Sequence, residues 1–333
     1  MKAQPATLGA ERIVPTRIRW SLVFASVALA AVAYLFFSVW AGWRDVTSAA
    51  ARVGASGLAV LLALSALNYL LRFGRWQVYL RSLGARVPWA DSLAVYVAGF
   101  ALTTTPGKAG ETIRSVFLRR RGVPYTTSLA AFVSEKLSDL IAIVLLSCIG
   151  LAEHPQARPV VILAVVACVG VLLFLAAADA LERRTRGSTS WLGRALHQGV
   201  DTVRAAQECH RPALIVPMTL LSVLAWSCEA WGFYLMLGWL GLAPSWTFAF
   251  FVYALSMLAG ALSFLPAGLG GTEAVMLALL VLAGQPHADA VAATVLIRLA
   301  TLWFAVVLGI AALPLAARRH GASESELPSG GAA

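Results

Sequence analysis

Charged residues are scarce in this sequence. Asp, Glu, Lys and Arg make up 13% of its 333 residues, whereas a typical soluble domain carries about 25%. Hydrophobic residues make up 59%, and the mean hydropathy is +0.78. This composition excludes a soluble enzyme, and it predicts an all-α integral membrane protein that crosses the bilayer several times.

The sequence also has few residues that could build a disulfide framework, a metal site or a nucleophilic catalytic site. Its four cysteines, Cys148, Cys168, Cys209 and Cys228, form no CxxC pair, and three of them lie in apolar runs. The five histidines are scattered in predicted loops. We therefore predict no catalytic residue, no metal site and no cofactor, and we interpret the cysteines as small core residues.

Acidic residues are outnumbered by basic ones. The chain has 26 Lys and Arg residues against 16 Asp and Glu residues, which gives a formal net charge of +10. The basic residues lie at the edges of apolar runs, the pattern of a membrane protein with positively charged cytoplasmic loops. Nucleic-acid binding is therefore not expected.

Six apolar runs are long enough to span a bilayer, since about 20 apolar residues cross its hydrocarbon core. They cover residues 20–43, 53–71, 126–151, 159–178, 212–240 and 290–317. The second run is expected to end at Arg72 and Arg75. We predict a cytoplasmic segment at 1–19, a membrane domain at 20–317 and a disordered cytoplasmic tail at 318–333.

Two further apolar pieces are each broken by a turn rich in proline and glycine. The turn residues are Pro106, Gly107 and Gly110 in the first piece and Pro266, Gly268 and Gly270 in the second. Within a bilayer, irregular backbone must be buried in protein or face a water-filled cavity, because lipid offers it no hydrogen-bond partner. Both pieces are therefore predicted to be re-entrant helical hairpins.

The distribution of basic residues predicts the orientation. With the N-terminus in the cytoplasm, the cytoplasmic segments hold 20 Lys and Arg residues and the external segments hold three. The external residues are Arg44, Arg52 and Arg158, and those within the membrane are Lys108, Lys136 and Arg298. This bias places both termini in the cytoplasm.

The chain also contains an internal repeat, with one unit at 54–150 and the other at 212–317. Trp89 and Tyr96 match Trp246 and Tyr253 at an offset of 157 residues. Beyond the turns, Gly122-Val123-Pro124 matches Gly284-Gln285-Pro286 at an offset of 162. The units start three spans apart, so they are predicted to be inverted, as in transporters whose broken helices meet near the midplane.

One predicted span carries three charges. Glu135 and Asp139 share a helical face, and Lys136 is within reach of Asp139. Each charge at a helix centre costs roughly 2.5–3.5 kcal/mol on insertion scales. The group is therefore either a structural ion cluster or the polar lining of a substrate cavity, and Arg298 falls at the repeat-equivalent position of Lys136.

Other charged residues have two interpretations each. Glu111 and Glu273 follow the hairpin turns, where a carboxylate either complements a helix N-terminus or, with Lys108, helps to hold a headgroup. Arg72, Arg75 and Arg114 are placed at the cytoplasmic mouth, as interfacial anchors or as a landing site for an anionic headgroup. Glu229, which the repeat places opposite Arg72, is a functional candidate as a lone acid within a span.

Several of these residues form ordered motifs, which are Arg72-x-x-Arg75-Trp76, Pro106-Gly107-x-x-Gly110-Glu111-x-x-Arg114, Glu135-Lys136-x-x-Asp139, and Leu265-Pro266-x-Gly268-x-Gly270 with Glu273 and Arg298. Together these motifs resemble the lysylphosphatidylglycerol synthase transmembrane family of flippase-like proteins. The likeness covers residues 20 to 317. It implies a bacterial or archaeal membrane protein, here of the bacterial cytoplasmic membrane, from a family whose relatives occur beside hopanoid and glycolipid pathways.

The residues and the resemblance together predict a membrane lipid translocase without covalent catalysis. Its partner would be a lipid with an anionic or zwitterionic headgroup, a polyprenyl phosphate or a hopanoid-related lipid. Lipid aminoacylation is not expected, because no part of the sequence resembles the soluble aminoacyl-transfer domain of fused members. Two alternatives remain: a membrane-embedded transferase for lipid-linked sugars or phosphates, and a scaffold for a lipid-modifying enzyme.

Overall fold

A computed structural model describes residues 27–28, 32, 34, 42–105, 109–177, 191–263 and 265–324. Side chains at 109–112, 191–198 and 318–324 are outside this description. The described residues fold into helices and turns, and no strand occurs among them. The predicted all-α class is therefore confirmed for this part of the chain.

The helices follow one another with short connections. They are α1 (Trp43–Ser82), α2 (Trp89–Ala98), α3 (Ala109–Arg119), α4 (Tyr125–Ser147), α5 (Arg158–Ala176), α6 (Trp191–Cys209), α7 (Pro212–Trp239), α8 (Trp246–Leu262), α9 (Gly271–Leu282), α10 (His287–Arg298) and α11 (Phe304–Glu324). A 3₁₀ turn at Gly99–Leu102 extends α2, and a π-helical segment at Leu299–Trp303 joins α10 to α11.

Four helical stretches of the described chain are long and apolar enough to cross a membrane. They are Trp43–Ser82, Pro155–Ala176, Pro212–Trp239 and His287–Ala317. Helix α4 has 23 residues, about 34 Å at 1.5 Å per residue, but it carries the three predicted charges. Most of the predicted first span, 20–43, lies outside the described residues.

The outward surface of these helices is apolar. On α5, Leu163 and Leu173 are exposed by 59% and 65%, and Leu220 on α7 is exposed by 64%. A soluble protein rarely leaves so many large apolar side chains in water. Hydrocarbon is the solvent that suits this surface.

The predicted end of the second span is wrong. Helix α1 does not end at Arg72 and Arg75 but continues to Ser82, and it has a break at Gly54, where φ is 68°. Glycine suits this position because a side chain strains the left-handed backbone. Both arginines therefore lie inside a helix, whereas the sequence predicted them at the end of a helix, at the cytoplasmic mouth.

The two broken apolar pieces are pairs of short helices. Helix α2 with its 3₁₀ turn is followed by α3, and α8 is followed by α9, which packs against it. Gly260 on α8 lies against the turn residue Gly268, so that a methyl group on Gly268 would come within 2.9 Å of the Gly260 Cα atom. The second turn is therefore a tight, buried contact between backbone segments.

Helices α1 and α7 pack side by side in opposite directions. A methyl group on Gly57 would lie 3.0 Å from the ring of Trp239, while farther along α1 the Asn68 side chain donates to the Ala225 carbonyl at 2.7 Å. The two helices are therefore antiparallel. At the start of α1, Arg52 donates to the Leu240 carbonyl at 2.9 Å and forms an ion pair with Asp289.

Candidate functional site

Five charged side chains from three helices meet inside the molecule, and we refer to them as the arginine cluster. They are Arg72 and Arg75 on α1, Arg114 on α3, and Glu135 and Asp139 on α4. Asp139 pairs with Arg72 at 2.8 Å and with Arg75 at 2.7 Å. Glu135 pairs with Arg114 at 3.1 Å and more distantly with Arg72 at 3.4 Å.

Helical spacing explains why these side chains converge. Arg72 and Arg75 are three residues apart, and Glu135 and Asp139 are four apart, so each pair lies on one helical face. The two acids flank the midpoint of α4. Arg75 and Glu135 are both 0% exposed, and their pairing with opposite charges offsets part of the cost of burying them.

Aromatic side chains enclose the arginine cluster. The guanidinium of Arg114 lies 4.2 Å from the ring centroid of Tyr96, and that of Arg72 lies 5.2 Å from the ring of Trp226. Such cation–π contacts are strongest where water is excluded. The same rings supply hydrogen bonds: the Tyr96 hydroxyl donates to Glu135 at 3.4 Å, and the Trp226 indole donates to Asp139 at 3.1 Å.

The arginine cluster has more donors than acceptors. Three guanidinium groups face two carboxylates, which leaves one positive charge in excess. Within the described part of the chain, the buried Nε atoms of Arg72, Arg75 and Arg114 have no hydrogen-bond partner. Since buried donors are ordinarily satisfied, the cluster has unused capacity for an anion.

A second ion pair stabilises the turn between α8 and α9. Glu273 accepts from the Arg298 Nε atom at 2.6 Å, and its other oxygen accepts from the Gly270 amide at 2.6 Å. Arg298 also donates to the Ala267 carbonyl at 3.0 Å. Glu273 therefore caps the N-terminus of α9, as one of its two predicted roles required.

Glu229 lies apart from both groups. Its carboxylate accepts a hydrogen bond from the Tyr253 hydroxyl at 2.5 Å, and the residue is 5% exposed. Within the described chain, no Lys or Arg nitrogen lies within 4.0 Å of it. It is thus a buried acid whose partner is a neutral hydroxyl.

Some predicted site residues are not part of these groups. The Lys136 side chain is exposed, with its ammonium 5.3 Å from the ring centroid of Phe132. Asp139, its predicted partner, pairs with the arginines of α1 instead. Pro106, Gly107 and Lys108 lie outside the described residues, and for Gly110 and Glu111 the structure describes the backbone of α3 only.

The residues that sequence reasoning missed are the aromatic neighbours. Tyr96 and Tyr253 were visible in the repeat at an offset of 157, and each donates its hydroxyl to a buried carboxylate. Trp226 carries no such signal, because a tryptophan in an apolar span is indistinguishable from one that packs against lipid. The π-helical segment after Arg298 also had no signal in the sequence.

Among the residues that the structure describes, the arginine cluster and the Glu273–Arg298 pair do not line an open chamber. Their charged groups pair with one another and are buried, whereas the predicted cavity required them to face water. A surface cavity of about 530 Å³ lies at the far end of the α1–α7 pair and is lined by Val78, Arg81, Ser82, Arg211, Ala213 and Leu214. The described site is therefore a closed one.

Comparison with known proteins agrees with this arrangement of apolar helices. Residues 23–309 match the family described as the lysylphosphatidylglycerol synthase TM region. The chain belongs to this family. It is therefore a multi-pass integral membrane protein.

Two archaeal relatives of this family member are described as UPF0104 membrane proteins. The one from Methanothermobacter thermautotrophicus is 31% identical over 136 residues, which cover 41% of this chain and only 38% of that protein. The one from Pyrococcus horikoshii is 20% identical over 301 residues, which cover 81% of this chain and 90% of that protein. Their descriptions name a membrane protein and no substrate.

Proposed function

We propose that this protein moves a lipid with an anionic, phosphate-bearing headgroup between the two leaflets of the bacterial cytoplasmic membrane. The observation that supports this most directly is the surplus of buried guanidinium donors in the arginine cluster. Guanidinium groups bind phosphate in a bidentate manner. A headgroup phosphate would neutralise the excess charge and use the Nε donors that are unpaired in the closed state.

The arrangement of the two halves supports an inverted repeat. Helix starts recur at the sequence offsets: Trp89 and Trp246 differ by 157, and Tyr125 and His287 differ by 162. Asn68 and Ala225, which touch where α1 and α7 pack, also differ by 157. A two-fold axis requires this, because a residue on the axis contacts its own equivalent.

In such a repeat the two hairpins have opposite orientations in the bilayer. The first hairpin would enter from the cytoplasm and the second from outside, with both termini in the cytoplasm. Their helices are too short to span: α9 has 12 residues, about 18 Å of helix, against a hydrocarbon core of about 30 Å. The arginine cluster and the Glu273–Arg298 pair would then lie on the two sides of the midplane.

Transport requires the closed site to open. A phosphate that competes with Glu135 for Arg114 would separate α3 from α4, and the headgroup would occupy the space between them. Its acyl chains would stay in hydrocarbon beside the apolar outer surface. The headgroup would thereby cross without being dragged as a bare charge through lipid.

The test is lipid exchange in vesicles that contain the purified full-length chain. Fluorescent phosphatidylglycerol is placed in one leaflet, and its appearance in the other is followed by chemical quenching. Wild-type protein is expected to exceed protein-free vesicles, and Arg114→Gln to slow exchange by roughly tenfold or more, since a hydrogen bond to a charged group contributes about 1.5–3 kcal/mol. Arg114→Lys, which keeps the charge, is expected to be less impaired.

The matched control is Arg120→Gln, which removes an exposed arginine near the end of α3 and should leave exchange unchanged. Thermal unfolding in detergent shows whether each variant is folded. The proposal is wrong if wild-type protein accelerates the exchange of neither anionic phospholipids nor polyprenyl phosphates. A zwitterionic lipid that moves as fast as the anionic one would refute the role of the excess charge.

A further inference from the structure

Glu229 differs from the other buried acids of the described chain in having no cation as a direct partner. Glu135, Asp139 and Glu273 each contact at least one arginine. Glu229 has the Tyr253 hydroxyl. The charge pairing that stabilises the other three carboxylates is therefore missing at this position.

The physical consequence concerns its protonation. An ionised carboxylate that is buried without a paired cation costs several kcal/mol, whereas a neutral carboxylic acid needs only hydrogen-bond partners. Glu229 is 5% exposed, so water does little to lower this cost. The geometry of the closed state thus suits the protonated side chain.

Charged and titratable groups surround Glu229 on each helix packed against α7. They are Tyr69 and Arg72 on α1, Asp139 on α4, Tyr253 on α8 and Arg298 on α10. The two arginines belong to different sites, one to the arginine cluster and the other to the Glu273 pair. Glu229 is therefore placed to act on both sites through space.

Its position along α7 mirrors that of Arg72 along α1. Arg72 lies four residues beyond Asn68, and Glu229 lies four residues beyond Ala225, the residue that Asn68 contacts. Four residues of helix correspond to about 6 Å, and the helices run in opposite directions. Arg72 and Glu229 thus lie on opposite sides of the contact between Asn68 and Ala225. Glu229 occupies the position in the second predicted repeat unit that Arg72 occupies in the first.

We propose that Glu229 is a proton-binding site that couples lipid movement to proton movement, an inference that rests on the proposed function. With Glu229 neutral, Arg72 and Arg298 keep their present partners and the site stays closed. When the carboxylic acid releases its proton to water, the carboxylate becomes a competing anion for both arginines. Arg72 can then turn from Asp139 towards Glu229, which opens the arginine cluster to a headgroup.

The first experiment detects the proton without measuring transport. Infrared difference spectra of the full-length protein in vesicles, recorded across a pH titration, should show the C=O band of a protonated carboxyl group that disappears as the pH rises. The band should be absent in Glu229→Gln and should change frequency in Tyr253→Phe, which removes the hydroxyl donor. Its persistence in a folded Glu229→Gln protein would overturn the proton site.

The second experiment imposes a pH difference across vesicles that contain labelled phosphatidylglycerol. For one proton per lipid, the equilibrium distribution of label between leaflets should shift by about tenfold per pH unit. Glu229→Gln should abolish this shift, whereas Glu208→Gln, at an exposed acid paired with Arg211, should retain it. Tyr253→Phe provides a second variant should Glu229→Gln fail to fold.

The two experiments separate the two proposals. Wild-type protein that exchanges lipid but ignores the pH difference would overturn the coupling and leave the proposed function standing. Wild-type protein that exchanges no lipid would overturn the proposed function, and with it the coupling, while the infrared band alone would decide whether Glu229 binds a proton.

Discussion

The buried charges of this protein are stable only as a group. Removing one partner leaves an uncompensated charge in a medium that solvates it poorly, whereas removing both leaves a neutral interior. Glu273 illustrates this, because one of its oxygens pairs with Arg298 and the other caps α9. The two roles can be separated experimentally, since glutamine retains the cap but not the charge.

We predict that Glu273→Gln lowers the free energy of unfolding by about 3–5 kcal/mol, the usual cost of breaking a buried pair. The double variant Glu273→Gln with Arg298→Met should lose less than the sum of the single variants. The comparison is Glu208→Gln, whose pair with Arg211 is more than half exposed and should contribute under about 1 kcal/mol. Denaturant unfolding in detergent measures the free energy of unfolding of the two single variants, the double variant and Glu208→Gln. If the losses of the two single variants add up to the loss of the double variant, Glu273 and Arg298 are not coupled.

The candidate site residues that were easiest to recognise in the sequence are those whose charge is anomalous in an apolar run. Glu135, Asp139, Glu229 and Arg298 stand out for this reason. Their partners were harder to assign, because hydropathy scores each side chain alone and treats Arg72 and Arg75 as the end of a helix. Pairing across helices makes these arginines compatible with the interior, and that information lies in the tertiary structure.

At the scale of helices and turns, the points where a helix is interrupted were easier to predict than the residues at which a helix ends. Proline and glycine indicated that both apolar pieces are broken into shorter helices, since they disfavour a continuous helix at the turn. The seven residues of α1 beyond Arg75 were not predicted to be part of the second span, because they include arginine, glutamine and tyrosine. Their stability comes from packing: Trp76, Tyr79 and Leu80 are each 1% exposed.

The turn between α8 and α9 offers a test of the second hairpin. Gly268 has φ of 67°, and a Cβ atom there would lie 2.9 Å from the Gly260 Cα atom. We predict that Gly268→Ala lowers the free energy of unfolding by about 1–3 kcal/mol, since left-handed backbone strain adds to the steric clash. Hydrogen exchange should show the loss of protection centred on α9.

Gly170→Ala is the matched control for this substitution. Gly170 lies within α5, and an added methyl group would meet no atom within 4 Å. Alanine should therefore stabilise the helix there, by about 0.5–1 kcal/mol. Equal effects at the two glycines would show that the close contact at the turn contributes nothing.

For the molecule as a whole, the two ends of the α1–α7 pair are not equivalent. One end is tied by Arg52, which binds both the Leu240 carbonyl and Asp289. The other end borders the cavity that Arg81, Arg211 and Ala213 help to line. From the predicted excess of basic residues in the cytoplasm, we expect the tied end to face outwards and the cavity to face the cytoplasm.

This orientation can be tested by cysteine labelling in cells, with the native cysteines replaced by alanine. We predict that Ala213→Cys reacts with a membrane-impermeant maleimide only after the cytoplasmic side is opened, because Ala213 borders the cavity that we expect to face the cytoplasm. Asp289→Cys should react in intact cells, since it lies at the opposite end of the antiparallel pair. Labelling of both positions from the same side would contradict an α1–α7 pair that spans the membrane, because the two sites lie at its opposite ends.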